Sequence, residues 1–183
     1  MLIPILILTA AAAATNPSAE IVSHKLDAIE SGQAKPGSVI VFAEPDLNAW
    51  VRAKAPTVVP QGFREPHLQL GDGTAIAYAL VDFLKVRHSA GIETNWLIAK
   101  LIQGEKPVVA KASLESANGR ATVHLQRAEI GGLAVSGAVL DFLIRNFVLT
   151  IFPEVKIDEP FDLDYDIDRI EIRPDGVRVT AKR

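Results

Sequence analysis

The densest set of metal-capable side chains in this sequence is Asp162, Asp164, Asp166 and Asp168. On a strand, that period of two puts the four carboxylates on one face and Phe161, Leu163, Tyr165 and Ile167 on the other. An EF-hand loop needs Gly at its sixth position and Glu at its twelfth. Counted from Asp162, those positions hold Ile167 and Arg173. The pattern therefore reads as a solvated strand face whose like charges discourage edge-to-edge pairing. The four histidines, His24, His67, His88 and His124, fall in no ligand spacing. There is no G-x-S-x-G, H-E-x-x-H, phosphate-cradling loop or dinucleotide fingerprint. The absence of cysteine excludes a disulfide scaffold, thiol catalysis, thiolate metal sites and a lipidated cysteine anchor. The expectation is a protein that is not an enzyme, with no catalytic residues, no metal and no cofactor. A net charge of −3 with scattered Lys and Arg argues against nucleic acid as a partner.

Chemistry is scarce, but apolar surface is not. Residues 136–152, SGAVLDFLIRNFVLTIF, are apolar around almost the whole helical circumference and stop at Pro153. Asp141 and Arg145 are i,i+4 neighbours able to pair on one narrow stripe. A helix of this kind, roughly 25 Å long, has to be covered nearly all round. Its two mid-segment charges argue against a membrane span. Two readings stay open: a central core helix, or one that also lines an apolar ligand groove.

The elements around it follow from periodicity. Residues 1–18 read as a secretory signal peptide, with an apolar run over 2–8 and an alanine tract offering processing after Ala14, although no basic residue precedes Lys25. Residues 19–37 form an N-terminal helix and linker. Val22, Leu26 and Ile29 make its stripe, Ser18 its N-cap and Gly32 its stop, and the helix has the character of a peripheral arm. Residues 38–183 form a single domain. It opens with a short strand over 38–43 and a helix in which Leu47, Trp50 and Val51 share a face. Pro45 suits the start of that helix and Pro56 its end. Trp50 on such a stripe reads as core.

Residues 57–66 read as a loop and Gly71-Asp72-Gly73 as a hairpin turn. A strand over 74–87 would extend about 46 Å, far beyond the usual 5–6 residues. One of its faces carries Ile76, Tyr78, Leu80, Leu84 and Val86, and the other is alanine-rich, suiting close approach or a shallow groove. Residues 92–102 read as a short helix or turn. A second hairpin turns about Asn118-Gly119, and its apolar parity changes after Arg127, which predicts a β-bulge. A second parity break near Asp168-Arg169 predicts another, before a last hairpin closed by Asp175-Gly176. The fold class is α+β: a strongly curved antiparallel sheet of long bulged hairpins wrapped around a long apolar helix.

Three stretches, FAEPDLNAWV, NGRATVHLQRAEIGGLAVSGAVLDFLI and DIDRIEIRPDGVRVT, resemble the secreted LmeA-like phospholipid-binding proteins. That family is related to the tubular lipid-binding (TULIP) superfamily. The resemblance covers roughly residues 38–183 and implies a TULIP-like half-module with a lengthwise groove for acyl chains. It also implies a non-enzymatic carrier or sensor of lipids or other hydrophobic ligands, exported to the periplasm or extracellular face of the cell envelope, with peripheral membrane contact. An enclosed tube would need a homodimer. The expected groove is Leu140, Leu143, Phe147 and Ile151 on the helix, facing Ile76, Tyr78 and Leu80 on the long strand. Lys85 and Arg87 are candidates for an anionic head group, or ordinary surface charges. The alternative function is a structural or interaction module of the envelope with a closed core and a protein partner.

Overall fold

Two antiparallel sheets divide the chain, and the order in which strands enter them follows from where the hairpin turns fall. The computed structural model describes residues 16–58, 62–90, 103–149 and 156–183. The expected signal peptide, apart from residues 16–18, and the helix or turn expected over 92–102 lie outside them.

Helix α1 (Pro17–Glu30) starts earlier than a Ser18 cap would place it, because Asn16 is the N-cap and accepts from the Ser18 N–H at 3.1 Å. Pro17 follows at the first turn, where its missing N–H leaves nothing unsatisfied. Gly32, at φ 68°, ends the helix as expected. The Gln33 N–H then reaches back to the Ala28 carbonyl at 2.9 Å. The helix is no peripheral arm: Val22 and Ile29 are buried with Phe42 and Val179.

Strand β1 (Val39–Ala43) leads into α2 (Glu44–Val58), which runs two residues past Pro56. Trp50 is core, as its stripe predicted, packed against the same cluster as α1. Later in the chain β8 (Ile167–Arg173) and β9 (Gly176–Ala181) complete a three-stranded sheet in the order β1-β9-β8. Gly176 is required by close approach: a Cβ there would drive into the Phe42 carbonyl.

The larger sheet contains β2 (Phe63–Leu70), β3 (Thr74–Asp82), β4 (Glu105–Ala117), β5 (Arg120–Ile130) and β6 (Leu133–Ala134), in chain order. The short β7 (Phe161–Asp162) adds to the start of β5. Asn118 and Gly119, at φ 53° and 74°, form the expected tight turn between β4 and β5. Both predicted bulges are present, one where Gln126 is extra in β5 and one where Asp168 is extra in β8. A third lies at Glu65-Pro66, so residues 63–66, read as loop, are strand on either side of a bulge.

Two expectations are corrected. The strand over 74–87 ends at Asp82, and α3 (Phe83–Ala90) begins there. The Asp82 carboxylate accepts from the Leu84 and Lys85 N–H groups, each at 3.2 Å, which is what a helix N-cap does. The four aspartates do not share a strand face either. β7 stops at Asp162, and the chain turns through Tyr165 and Asp166, both at positive φ, before β8 begins.

Helix α4 (Gly137–Leu143) continues directly as a π-helical segment (Ile144–Val148); of the long apolar helix expected over 136–152, residues 137–149 are helical with a change of winding midway, and 150–152 lie outside the described residues. Asn146 donates to the Phe142 carbonyl at 2.8 Å within this transition. Asp141 and Arg145 are both exposed, and no ion pair joins them. No helix among the described residues is long and apolar enough to cross a membrane.

The outer edge of β2 is closed by side chains rather than by a strand. Asn48 of α2 accepts from the Leu68 N–H at 2.6 Å and donates to the Leu68 carbonyl at 2.8 Å. Glu44 accepts from the Leu70 N–H at 2.8 Å. Replacing Asn48 by Ala strips two partners from a half-buried backbone. The variant is expected to lose about 1–3 kcal/mol in urea denaturation, with more self-association at high concentration. A second outcome concerns Asp82, whose pKa is lowered, chiefly by the hydrogen bond from the Lys85 N–H. A lowered folded pKa means stability that is full above the ordinary carboxylate range and lost as pH falls through the folded value. Asp82→Asn should therefore flatten the acid limb of a thermal-stability profile below about pH 4.

Candidate functional site

The residues that line up across β3, β4 and β5 set the shape of the inner face of the larger sheet. Directly opposed residues project from the same side. The pairs Ala77 to Ala110 and Ala110 to Ala128 therefore make a row of three alanines across three strands. The neighbouring row, Ala79, Val108 and Ile130, is bulkier, as is the pair Phe63 and Val81. The row on the other side is Ala75, Ala112 and Leu125, and Ala77 is exposed, so the trough lies over Ala110 and Ala128, between Val108 and Ile130 on one side and Leu125 on the other.

Helix α4 and its π segment lie over that trough. Leu140, Ile144 and Val148 recur every four residues, and with Leu143 they form the wall opposite Ala110 and Ala128. In a pure α-helix each step of four residues drifts about 40° round the axis. The wider π turn takes up part of that drift and keeps Val148 near the line of Leu140. Phe83 at the start of α3 and Val135 before α4 close one end, packed on Val81 and Ile130. Leu125 and Ile157 stand at the other.

The result is a cavity of about 290 Å³ whose lining is apolar except for Glu129. Glu129 lies opposite Val109 in the ladder and forms an ion pair with Arg127. From the level of Val108 to that of Ala112, which pairs Leu125, the trough runs four residues of β4, or about 14 Å.

The structure brings together only part of the expected groove. Leu140 and Leu143 are on the wall. Phe147 contributes its backbone to the π segment, and Ile151 lies outside the described residues. Ile76, Tyr78 and Leu80 are on the opposite face of the sheet, because Ala79 and Val81 of the other parity face the helix. Tyr78 instead stacks on His67, with ring centroids 4.5 Å apart, and donates to Gln69 Oε1 at 3.2 Å. The bulky face of β3 was the natural choice for apolar contact, but only the small face leaves room beneath a helix. Lys85 is salt-bridged to Asp82 at 3.5 Å.

The missed wall residues, Ala110 and Ala128 above all, were within reach of the hairpin argument. Counting back from Asn118-Gly119 and allowing one extra residue at the bulge puts them opposite each other. Their size hid them, since alanine carries little apolar weight in a periodicity count.

Polar clusters elsewhere offer less. His124 Nδ1 meets Asp158 Oδ1 at 2.9 Å, and the Asp158 N–H donates to the Val123 carbonyl, so the pair ties the chain before β7 to β5. Among the described residues no three His, Asp or Glu side chains are grouped to hold a metal. No known protein family, curated protein or solved structure matches the chain significantly.

Leu143 is 8% exposed and belongs both to the core and to the cavity wall. Leu143→Ala should cost about 2–5 kcal/mol in urea denaturation. Tyr78→Ser, on the far face, should cost clearly less in the same measurement.

Proposed function

We propose that this protein is a non-enzymatic carrier or sensor of lipids or other hydrophobic small molecules. The single observation that carries this reading is the apolar cavity between the alanine row and the helix. Core sheets are normally packed to near-crystalline density, with few voids larger than a water molecule. A volume of about 290 Å³ lined by apolar side chains and one glutamate suits hydrocarbon, at the small end of the range for ligand pockets. Burial at about 25 cal/mol per Å² supplies the affinity.

The resemblance to the LmeA-like phospholipid-binding proteins supports the same reading. So does the placement of a helix against a sheet of long bulged hairpins, the arrangement expected of a TULIP-like half-module. The apolar run and alanine tract of the leader support export to the cell envelope, where peripheral contact with a membrane would deliver the ligand. A homodimer would lengthen the trough into a tube.

Uptake of a fluorescent fatty acid tests the proposal, with native mass spectrometry of the gently purified protein alongside. Wild type should take up the probe and carry lipid. Filling the trough with Ala128→Leu, or with the larger Ala110→Phe, should weaken uptake by about tenfold or more, while overpacking costs about 1–3 kcal/mol of stability. Tyr78→Ser should leave uptake unchanged. A lipid-free wild type that takes up no probe would overturn the reading.

A further inference from the structure

The cavity has a size and a charged end, and together they define its occupant more narrowly than hydrophobicity does. An apolar cavity of about 150 Å³ accommodates one benzene ring. By the same density about 290 Å³ takes roughly twelve carbons. That is one medium-length acyl tail, not the pair carried by a diacyl lipid.

Lys106 marks one end. It pairs with Val81 across the β3–β4 ladder and precedes Val108 by two residues, so it projects from the cavity face just beyond the wall. Its stem runs over Gly131: a Cβ on that glycine would meet Lys106 Cδ at 3.5 Å. The neighbouring cations are already engaged, Lys85 with Asp82, Arg64 with Glu105 and Arg127 with Glu129. Lys106 is half-buried and has no carboxylate partner among the described residues. A half-buried lysine at the end of an apolar wall, with its carbon stem over Gly131, is suited to an anionic head group.

We infer that the cavity takes a single-tailed anionic amphiphile, a medium-chain carboxylate or phosphate monoester, with Lys106 on the head group. The inference rests on the carrier reading, and the experiment separates the two. Binding of laurate and of 1-dodecanol, which share a twelve-carbon tail, is measured by displacement of the fluorescent probe from wild type, Lys106→Met and Lys106→Arg. Dodecyl phosphate replaces laurate in a parallel arm, to tell the two head groups apart.

Lys106→Met should weaken laurate, dodecyl phosphate or both by about tenfold or more, leave dodecanol within about twofold, and be rescued by Lys106→Arg. Vesicles of diacyl phosphatidylglycerol should displace the probe poorly. Equal effects of Lys106→Met on the charged and neutral ligands, or displacement by the vesicles as effective as by laurate, would overturn the inference while leaving the carrier reading intact. Failure of wild type to bind any of the ligands would overturn both.

Discussion

A helix can rest on a sheet only as closely as the side chains between them allow. Here the cavity face of the sheet offers two methyl groups side by side, Ala110 and Ala128, with Val108 and Ile130 on one side and Leu125 on the other. The taller side chains hold the helix up, and the two alanines beneath it cannot reach it. Dispersion falls off steeply with a gap, so such a space is energetically unfavourable unless something fills it. The packing of the sheet, the phase of the helix and the chemistry of the site all follow from that one mismatch in size.

The rest of the molecule keeps this arrangement in place. A second core, built by α1, α2 and the smaller sheet, is separate from the cavity, with Val22, Ile29, Phe42 and Val179 buried together. α2 belongs to that core through Trp50 and Leu47, yet its Asn48 and Glu44 hold the edge of β2. On the far side β8 accepts the tips of the larger sheet. The Gly119 N–H donates to the Asp168 carbonyl at 2.7 Å, and the Ser116 hydroxyl accepts from the Ile170 N–H at 2.9 Å. The smaller sheet and α2 thus brace the hairpins that form the trough at one end, where their turns lie.

Much of this was legible in residue order. Turns at Gly71-Asp72-Gly73 and Asn118-Gly119 and the two parity breaks set the strand pairings and their bulges, because a one-residue insertion reverses every side chain beyond it. What escaped had specific physical causes. Asp82 looked like an interruption in a strand, but its carboxylate takes two backbone N–H groups and starts a helix. The aspartates from Asp162 onward alternate as a strand would, yet Tyr165 and Asp166 adopt a left-handed conformation that ends the alternation. The face of β3 was misassigned because volume was taken as the sign of contact, whereas a site for a guest is marked by missing volume. Lys106 drew no attention for the same reason: its position becomes meaningful only once Val81 is known to point inward.

The π segment carries one more implication. It amounts to a residue of slack wound into a helix, so the helix could lose one residue between Ile144 and Val148 and still be continuous. Because a π turn advances by less per residue than the roughly 100° of an α-helix, five residues of the one sweep nearly the same angle as four of the other, and the residues beyond would keep their bearing. The same deletion within Gly137–Leu143 would turn Ile144 and Val148 by about 100° and take them off the wall. The π turn is therefore a joint at which the rod can change length while the chamber beneath it keeps its lining.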